Sequence, residues 1–108
     1  MTVFELKEQL NLTAYAMPDG ARAVTGGYTG DLLSWVMGRA QEGDAWITIM
    51  SNANIIAVAT LADVSCILLA EGAEPDKGVA ALATEKGINL LGSAESAFAL
   101  GARLNRLL

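Results

Sequence analysis

The stretch Ala45-Trp46-Ile47-Thr48-Ile49-Met50 is the clearest strand in the chain, and the run that follows it decides the fold. Trp46 and the β-branched Ile47, Thr48 and Ile49 suit a pleated, buried surface. Ser51-Asn52-Ala53-Asn54 then offers three candidate N-caps. The segment from about 53 to 63 is rich in Ile, Ala and Val on nearly all sides, which predicts a helix buried all round, by this subunit or another. Ser65-Cys66-Ile67-Leu68-Leu69-Ala70 is a continuous apolar run, as expected for a central strand of a parallel sheet. Strand, helix and strand in that order imply a right-handed crossover.

The alternation continues towards the C-terminus. Glu71-Gly72-Ala73-Glu74 reads as a loop, and Pro75 opens a helix to about Lys86, since proline is favoured in a first turn. Gly87 stops it. Ile88-Asn89-Leu90-Leu91 reads as a short strand, and Ser93 as the cap of a last helix over about 94–107. In these two helices Glu74 and Glu95 take first-turn positions.

Towards the N-terminus the pattern is less regular. Thr2-Val3-Phe4-Glu5 fits a capping box, with a helix over about 3–10 and Asn11 at its C-terminal turn. Thr13 to Met17 is a first strand, and Pro18-Asp19-Gly20 a turn. Arg22 to Thr25 is a second strand, ended by Gly26 and Gly27. Leu32, Leu33, Val36, Met37 and Ala40 share one face of a helix over 31–40. Asp31 stands in its first turn, and Gln41-Glu42-Gly43-Asp44 is a tight loop. The expectation is one α/β domain over 1–108: three layers, a mainly parallel sheet, helices on both faces. The length of 108 residues suits a single core without staples.

Composition excludes several functions. Net charge is −5, and the seven basic residues are scattered. Nucleic acid and anionic lipid both need a basic stripe, so neither is an expected partner. There is no histidine, which removes His-based catalysis and Cys/His metal sites. Cys66 is the only cysteine, so no disulfide closes within the chain, in keeping with a reducing cytoplasm. Its mid-strand position reads as core, because a reactive thiolate needs an electropositive, accessible setting. No signal peptide opens the chain, and the apolar run Ile55–Ala70 contains Asp63 and falls short of the ~20 residues a membrane span requires.

Ligands of open parallel sheets bind outside the carboxyl ends of the strands. Two loops are read into that position. One is Thr25-Gly26-Gly27-Tyr28-Thr29-Gly30; the other is Ser51-Asn52-Ala53-Asn54. Each leads into a helix N-terminus, where free N–H groups favour an anion. The candidate ligand-binding residues are therefore Thr25, Gly26, Gly27, Tyr28, Thr29, Ser51, Asn52 and Asn54, with Arg22 just before the first loop. Plain turn and capping chemistry explains the same residues, Asp31 would repel a phosphate, and Arg22 equally fits an ion pair across the fold. Trp35 and Trp46 read as packing or interface residues. No G-x-G-x-x-G and no G-x-x-x-x-G-K-[ST] occurs, so neither a dinucleotide fingerprint nor a phosphate-transfer loop is present. No catalytic residue, metal ligand or cofactor is assigned.

Arg22-x-Val24-Thr25-Gly26-Gly27 resembles the signature of the DRTGG domain. Tyr28-Thr29-Gly30-Asp31-Leu32-Leu33-Ser34, Trp46-Ile47-Thr48, Asn54–Ala59 and Gly87–Leu91 are similar to that family too, so the resemblance covers about 2–104. Ala21 stands where the name-giving Asp would be, and Ala23 separates Arg22 from Val24. The resemblance implies an accessory domain with the fold of the HPr kinase/phosphorylase N-terminal domain, found beside CBS pairs in regulated pyrophosphatases, in phosphotransacetylase-like proteins and as stand-alone proteins near iron-only hydrogenase genes. It implies a homodimeric, non-catalytic regulatory or ligand-sensing role, with a nucleotide or phosphorylated metabolite as ligand. The alternative is an assembly partner of a redox enzyme system with no small ligand. Kinase activity is not expected, because the phosphate-binding loop is missing.

Overall fold

A computed structural model describes all residues, 1–108. The elements run α1 (Val3–Gln9), β1 (Thr13–Ala16), β2 (Gly26–Thr29), α2 (Leu33–Arg39), β3 (Asp44–Thr48), α3 (Asn54–Ala62), β4 (Cys66–Leu69), α4 (Val79–Lys86), β5 (Leu90–Gly92) and α5 (Ala97–Leu107). The five strands form one sheet in the order β1-β5-β4-β3-β2. β2, β3, β4 and β5 are parallel, and β1 pairs antiparallel with β5. The three-layer, mainly parallel α/β architecture read from the alternation is the one observed.

Side-chain alternation along the strands feeds two cores. Trp46, Ile67, Leu69 and Leu90 face α2, α3 and α4. Ala45, Ile47, Cys66, Leu68 and Leu91 face α1 and α5, through Val3, Leu6, Leu100 and Leu104. Central β3 and β4 are buried on both faces, as strands covered by helices on both sides must be. No helix is long and apolar enough to cross a membrane.

The capping box is present: the Thr2 hydroxyl accepts from the Glu5 N–H, and the Glu5 carboxylate accepts from the Thr2 N–H. That last bond holds the Glu5 carboxyl below its ordinary range.

Several boundaries differ from expectation. The strand expected at Arg22–Thr25 is instead at Gly26–Thr29. Residues 20–24 are taken up by the N-terminal segment: Val3 N–H donates to the Arg22 carbonyl, Phe4 N–H to Gly20 and Val24 N–H to Met1, and Thr2 bridges Ala23. Gly26 and Gly27 do not break this strand. A Cβ on Gly26 would lie 2.5 Å from an Asp44 carboxylate oxygen, so glycine admits a close neighbour here.

The second helix starts at Leu33, not Asp31, and its expected apolar face is only half used: Val36 and Ala40 are buried while Leu32 and Met37 are exposed. Within the single chain α3 is buried on one side only. Ile55, Ile56, Val58 and Ala59 pack inward, but Ala53, Ala57, Thr60 and Leu61 face outward. α4 starts at Val79 rather than Pro75, because Gly78 sits at φ +85° and interrupts helical backbone. α5 is capped by Ser96, whose hydroxyl accepts from Ala99 N–H; Ser93 instead closes a local turn onto Glu95. Glu74 and Glu95 therefore stand outside the first turns assigned to them.

Candidate functional site

The nine residues expected to form one site fall into three places. Arg22, Thr25 and Gly26 lie at the amino end of the sheet. Ser51, Asn52 and Asn54 lie beyond the carboxyl end of β3. The five residues of β3 separate these ends by about 13 Å at strand rise. Between them, Gly27, Tyr28 and Thr29 come together in one cleft.

At the amino end, Arg22 is paired within the fold. Its guanidinium pairs with the Asp63 carboxylate at 2.9 Å and donates to the Asp63 carbonyl at 2.7 Å. Asp63 caps α3 in the left-handed region at φ 57°. Arg22 thus fixes a helix end to the N-terminal layer. Thr25 N–H donates to the Gly43 carbonyl, which starts the pairing of β2 with β3.

At the carboxyl end, the Ser51 and Asn52 side chains are engaged within the protein. Asn52 accepts from Asn54 N–H at 2.9 Å, an Asx turn at the start of α3. The Ser51 hydroxyl donates to Asp76 at 2.8 Å. Asp31, just after β2, accepts from the Thr48 hydroxyl and the Ile49 N–H. Glu71 accepts from Ala97 N–H at the start of α5. Three internal carboxylates, Asp31, Asp76 and Glu71, therefore stand at this edge, and they oppose a second anion.

The cleft lies between edge strand β2 and α5. Gly27, Tyr28 and Thr29 form one wall with Ile47, and Gly101, Leu104, Asn105 and Leu108 form the other; its volume is about 150 Å³. A Cβ on Gly27 would come 2.9 Å from Leu104, so glycine lets the helix lie close to the strand. Thr29 and Gly101 also floor an open hollow of about 560 Å³ bounded by Ala97, Phe98 and Ala102. Phe98 is 88% exposed there. The polar side chains of the cleft, Thr29 and Asn105, are neutral. Arg103 and Arg106 line a separate hollow towards α1, and Arg103 is paired with Glu95.

Sequence reasoning missed the α5 wall. The signal was available, because Gly101, Leu104, Asn105 and Leu108 recur at i, i+3, i+4 and i+7 on one helix face. Cys66 is fully buried, and burial pushes its thiol up to about 12, with the Arg22 charge opposing weakly. Trp46 is core, its indole N–H donating to the Gly30 carbonyl at 2.8 Å. Trp35 is half-exposed under the Arg39 guanidinium at 3.7 Å.

Comparison with known proteins adds three findings. No curated protein sequence matches the chain significantly. Among solved structures, the chain is similar to the CBS and DRTGG domains of the regulatory region of Clostridium perfringens pyrophosphatase, in complex with its activator diadenosine tetraphosphate. The TM-score is 0.74 at 17% identity, covering 95% of this chain and 45% of that one. This chain thus spans under half of that structure, and the likeness is one of fold. The DRTGG domain profile matches residues 30–107, beginning just after the Arg22–Gly27 motif. With that match over most of its length, the chain belongs to the DRTGG domain family.

Proposed function

We propose that this chain is a non-catalytic regulatory domain, working as a homodimer, that senses a nucleotide or phosphorylated metabolite in the cleft between β2 and α5. The observation that carries the reading is the convergence of Gly27, Tyr28 and Thr29 with Gly101 and Asn105, opening onto the exposed Phe98 ring. The neutral lining and the acidic carboxyl edge favour a grip on the uncharged part of the ligand. A base stacks on Phe98, Thr29 and Asn105 supply hydrogen bonds, and the phosphates point to solvent. Fold likeness to a regulatory region crystallised with a nucleotide activator supports this class of ligand. The absence of histidine and the sealed Cys66 thiol agree with a role free of covalent chemistry.

The test is thermal unfolding of the chain with AMP, ADP, ATP, diadenosine tetraphosphate and inorganic phosphate. Ligand at 100 times its Kd stabilises by about 2.7 kcal/mol, which raises Tm by about 10 °C in a domain of this size. A nucleotide should give that shift and inorganic phosphate none. Gly101→Leu, which fills the cleft, and Thr29→Val, which removes one hydroxyl, should each reduce it. A nucleotide shift that survives both variants would place binding elsewhere, and no shift with any nucleotide would end the sensing reading.

A further inference from the structure

The outward face of α3 is largely apolar and lies open in the single chain. Ala53, Ala57, Thr60 and Leu61 form it, and together with Ile56, Leu82 and Lys86 they line an apolar groove of about 410 Å³ against α4. The groove is uneven along its length. Its N-terminal half is hollow, because Ala53 and Ala57 present only methyl groups. Its C-terminal half carries a protrusion, because Leu61 is 72% exposed. Leu61 lies four residues after Ala57, and Ala53 four residues before it. An antiparallel crossing of two α3 helices at Ala57 therefore sets each Leu61 over the other chain's Ala53, about 6 Å from the axis at helical rise. Knob meets hole on both sides of a two-fold axis, as an isologous interface requires, and alanine at the crossing permits close approach.

The charges follow the same symmetry. α3 and α4 both leave the carboxyl end of the sheet and end near its amino end. Lys86, the only charged residue lining the groove, stands at the C-terminal end and takes part in none of the chain's ion pairs. Asp76 is anchored at the other end, where its N–H donates to the Ser51 carbonyl and its carboxylate accepts the Ser51 hydroxyl. Reversing one copy brings Lys86 towards Asp76 of the other, twice.

We infer that two copies of this chain associate through α3, antiparallel and crossing at Ala57, with Leu61 of each seated on Ala53 of the other and Lys86 paired with Asp76. This deepens the homodimeric reading above and rests on it.

Sedimentation velocity from 1 to 100 µM decides both. The wild type should sediment at twice the 11.2 kDa chain mass. Leu61→Glu should raise the dimer Kd about 100-fold or more, since each dimer loses two buried leucines and gains two buried carboxylates. Leu61 touches solvent in the single chain, so circular dichroism and Tm should stay at wild-type values. Lys86→Asp should weaken the dimer about 10-fold, and adding Asp76→Lys should restore it. Ala57→Cys, on the axis, should cross-link to itself under mild oxidation, while buried Cys66 does not react. A wild type that stays monomeric at 100 µM overturns the homodimer itself. A wild-type dimer that Leu61→Glu leaves intact overturns this seam alone.

Discussion

Asn89 offers the most direct check on how the two ends of the chain are joined. It is buried between the turn after β1 and the start of β4, and its side chain makes three hydrogen bonds. Its Oδ1 accepts from Asp19 N–H at 3.0 Å, and its Nδ2 donates to the Asp19 carbonyl at 2.8 Å and the Ser65 carbonyl at 2.9 Å. Asn89→Ala removes all three. At about 1 kcal/mol net for each bond, the loss is about 3 kcal/mol. That lowers Tm by about 15 °C for a domain of this size. Asn89→Asp refines the test. It keeps the acceptor for Asp19 N–H but turns an ionised carboxylate towards two carbonyl oxygens. Burial then raises the folded-state pKa above the unfolded value of about 3.9. The sign follows: the variant is most stable below about pH 3.9, and its deficit against wild type grows as pH rises towards 7. Urea unfolding at pH 4 and pH 7 measures both effects, with an unchanged m-value as the sign that the compactness of the end states is unaltered. A loss below 1 kcal/mol for Asn89→Ala, or a pH-independent deficit for Asn89→Asp, would refute the reasoning.

Two further predictions bear on the sheet–helix layer behind the cleft. Gly101→Ala should stabilise by about 0.5–1 kcal/mol, since alanine is the better helix former and its Cβ meets only Ile47 at 3.8 Å and Thr29 at 3.9 Å. Gly27→Ala should instead destabilise by about 1–3 kcal/mol, because its Cβ falls 2.9 Å from Leu104; urea midpoints moving in the same direction for both would contradict the packing described. Cys66 should be silent to thiol reagents until the chain unfolds. Its folded pKa, about 12, is raised above the ordinary 9.0, so its contribution is complete below about pH 9 and is lost between pH 9 and 12, at up to ~1.4 kcal/mol per pH unit. Stability of Cys66→Ala should fall less steeply over that window, and equal slopes would show the thiol is not sealed.

What could be read in advance divides along physical lines. The segment 45–70 was legible because its strands are buried on both faces, so β-branching and continuous hydrophobicity carry the signal without help from context. Gly26 and Gly27 misled because glycine serves two purposes. It ends strands where a turn needs positive φ, and it sits inside them where a neighbour comes close, as the Asp44 carboxylate and Leu104 do here. Only the tertiary structure separates the two. Asp31 reads from the sequence as a first-turn helix residue, yet its partners are Thr48 and Ile49, seventeen and eighteen residues on. Ser93 and Ser96 are equivalent as local caps, and the path of the chain after β5 selects the second. The candidate site was half legible for a geometric reason. Residues contiguous in sequence were grouped together, but a strand advances about 3.3 Å per residue, so Arg22 and Thr29 end up on different ends of the sheet. The α5 wall of the cleft was encoded in a four-residue face that polarity alone does not mark.

The pairing of β1 with β5 has a consequence for the order of events during synthesis. Thr13 and Ala14 find their only strand partners at Gly92 and Leu91, and Asn89 ties down the turn that follows β1. At about 5–20 residues per second, a ribosome needs about 4–16 s to proceed from one strand to the other. Throughout that interval β1 has no partner, while β2, β3 and β4 can pair in turn as they emerge. The first strand made is thus the last to be paired, and the sheet closes as a late step that depends on β5 being in place.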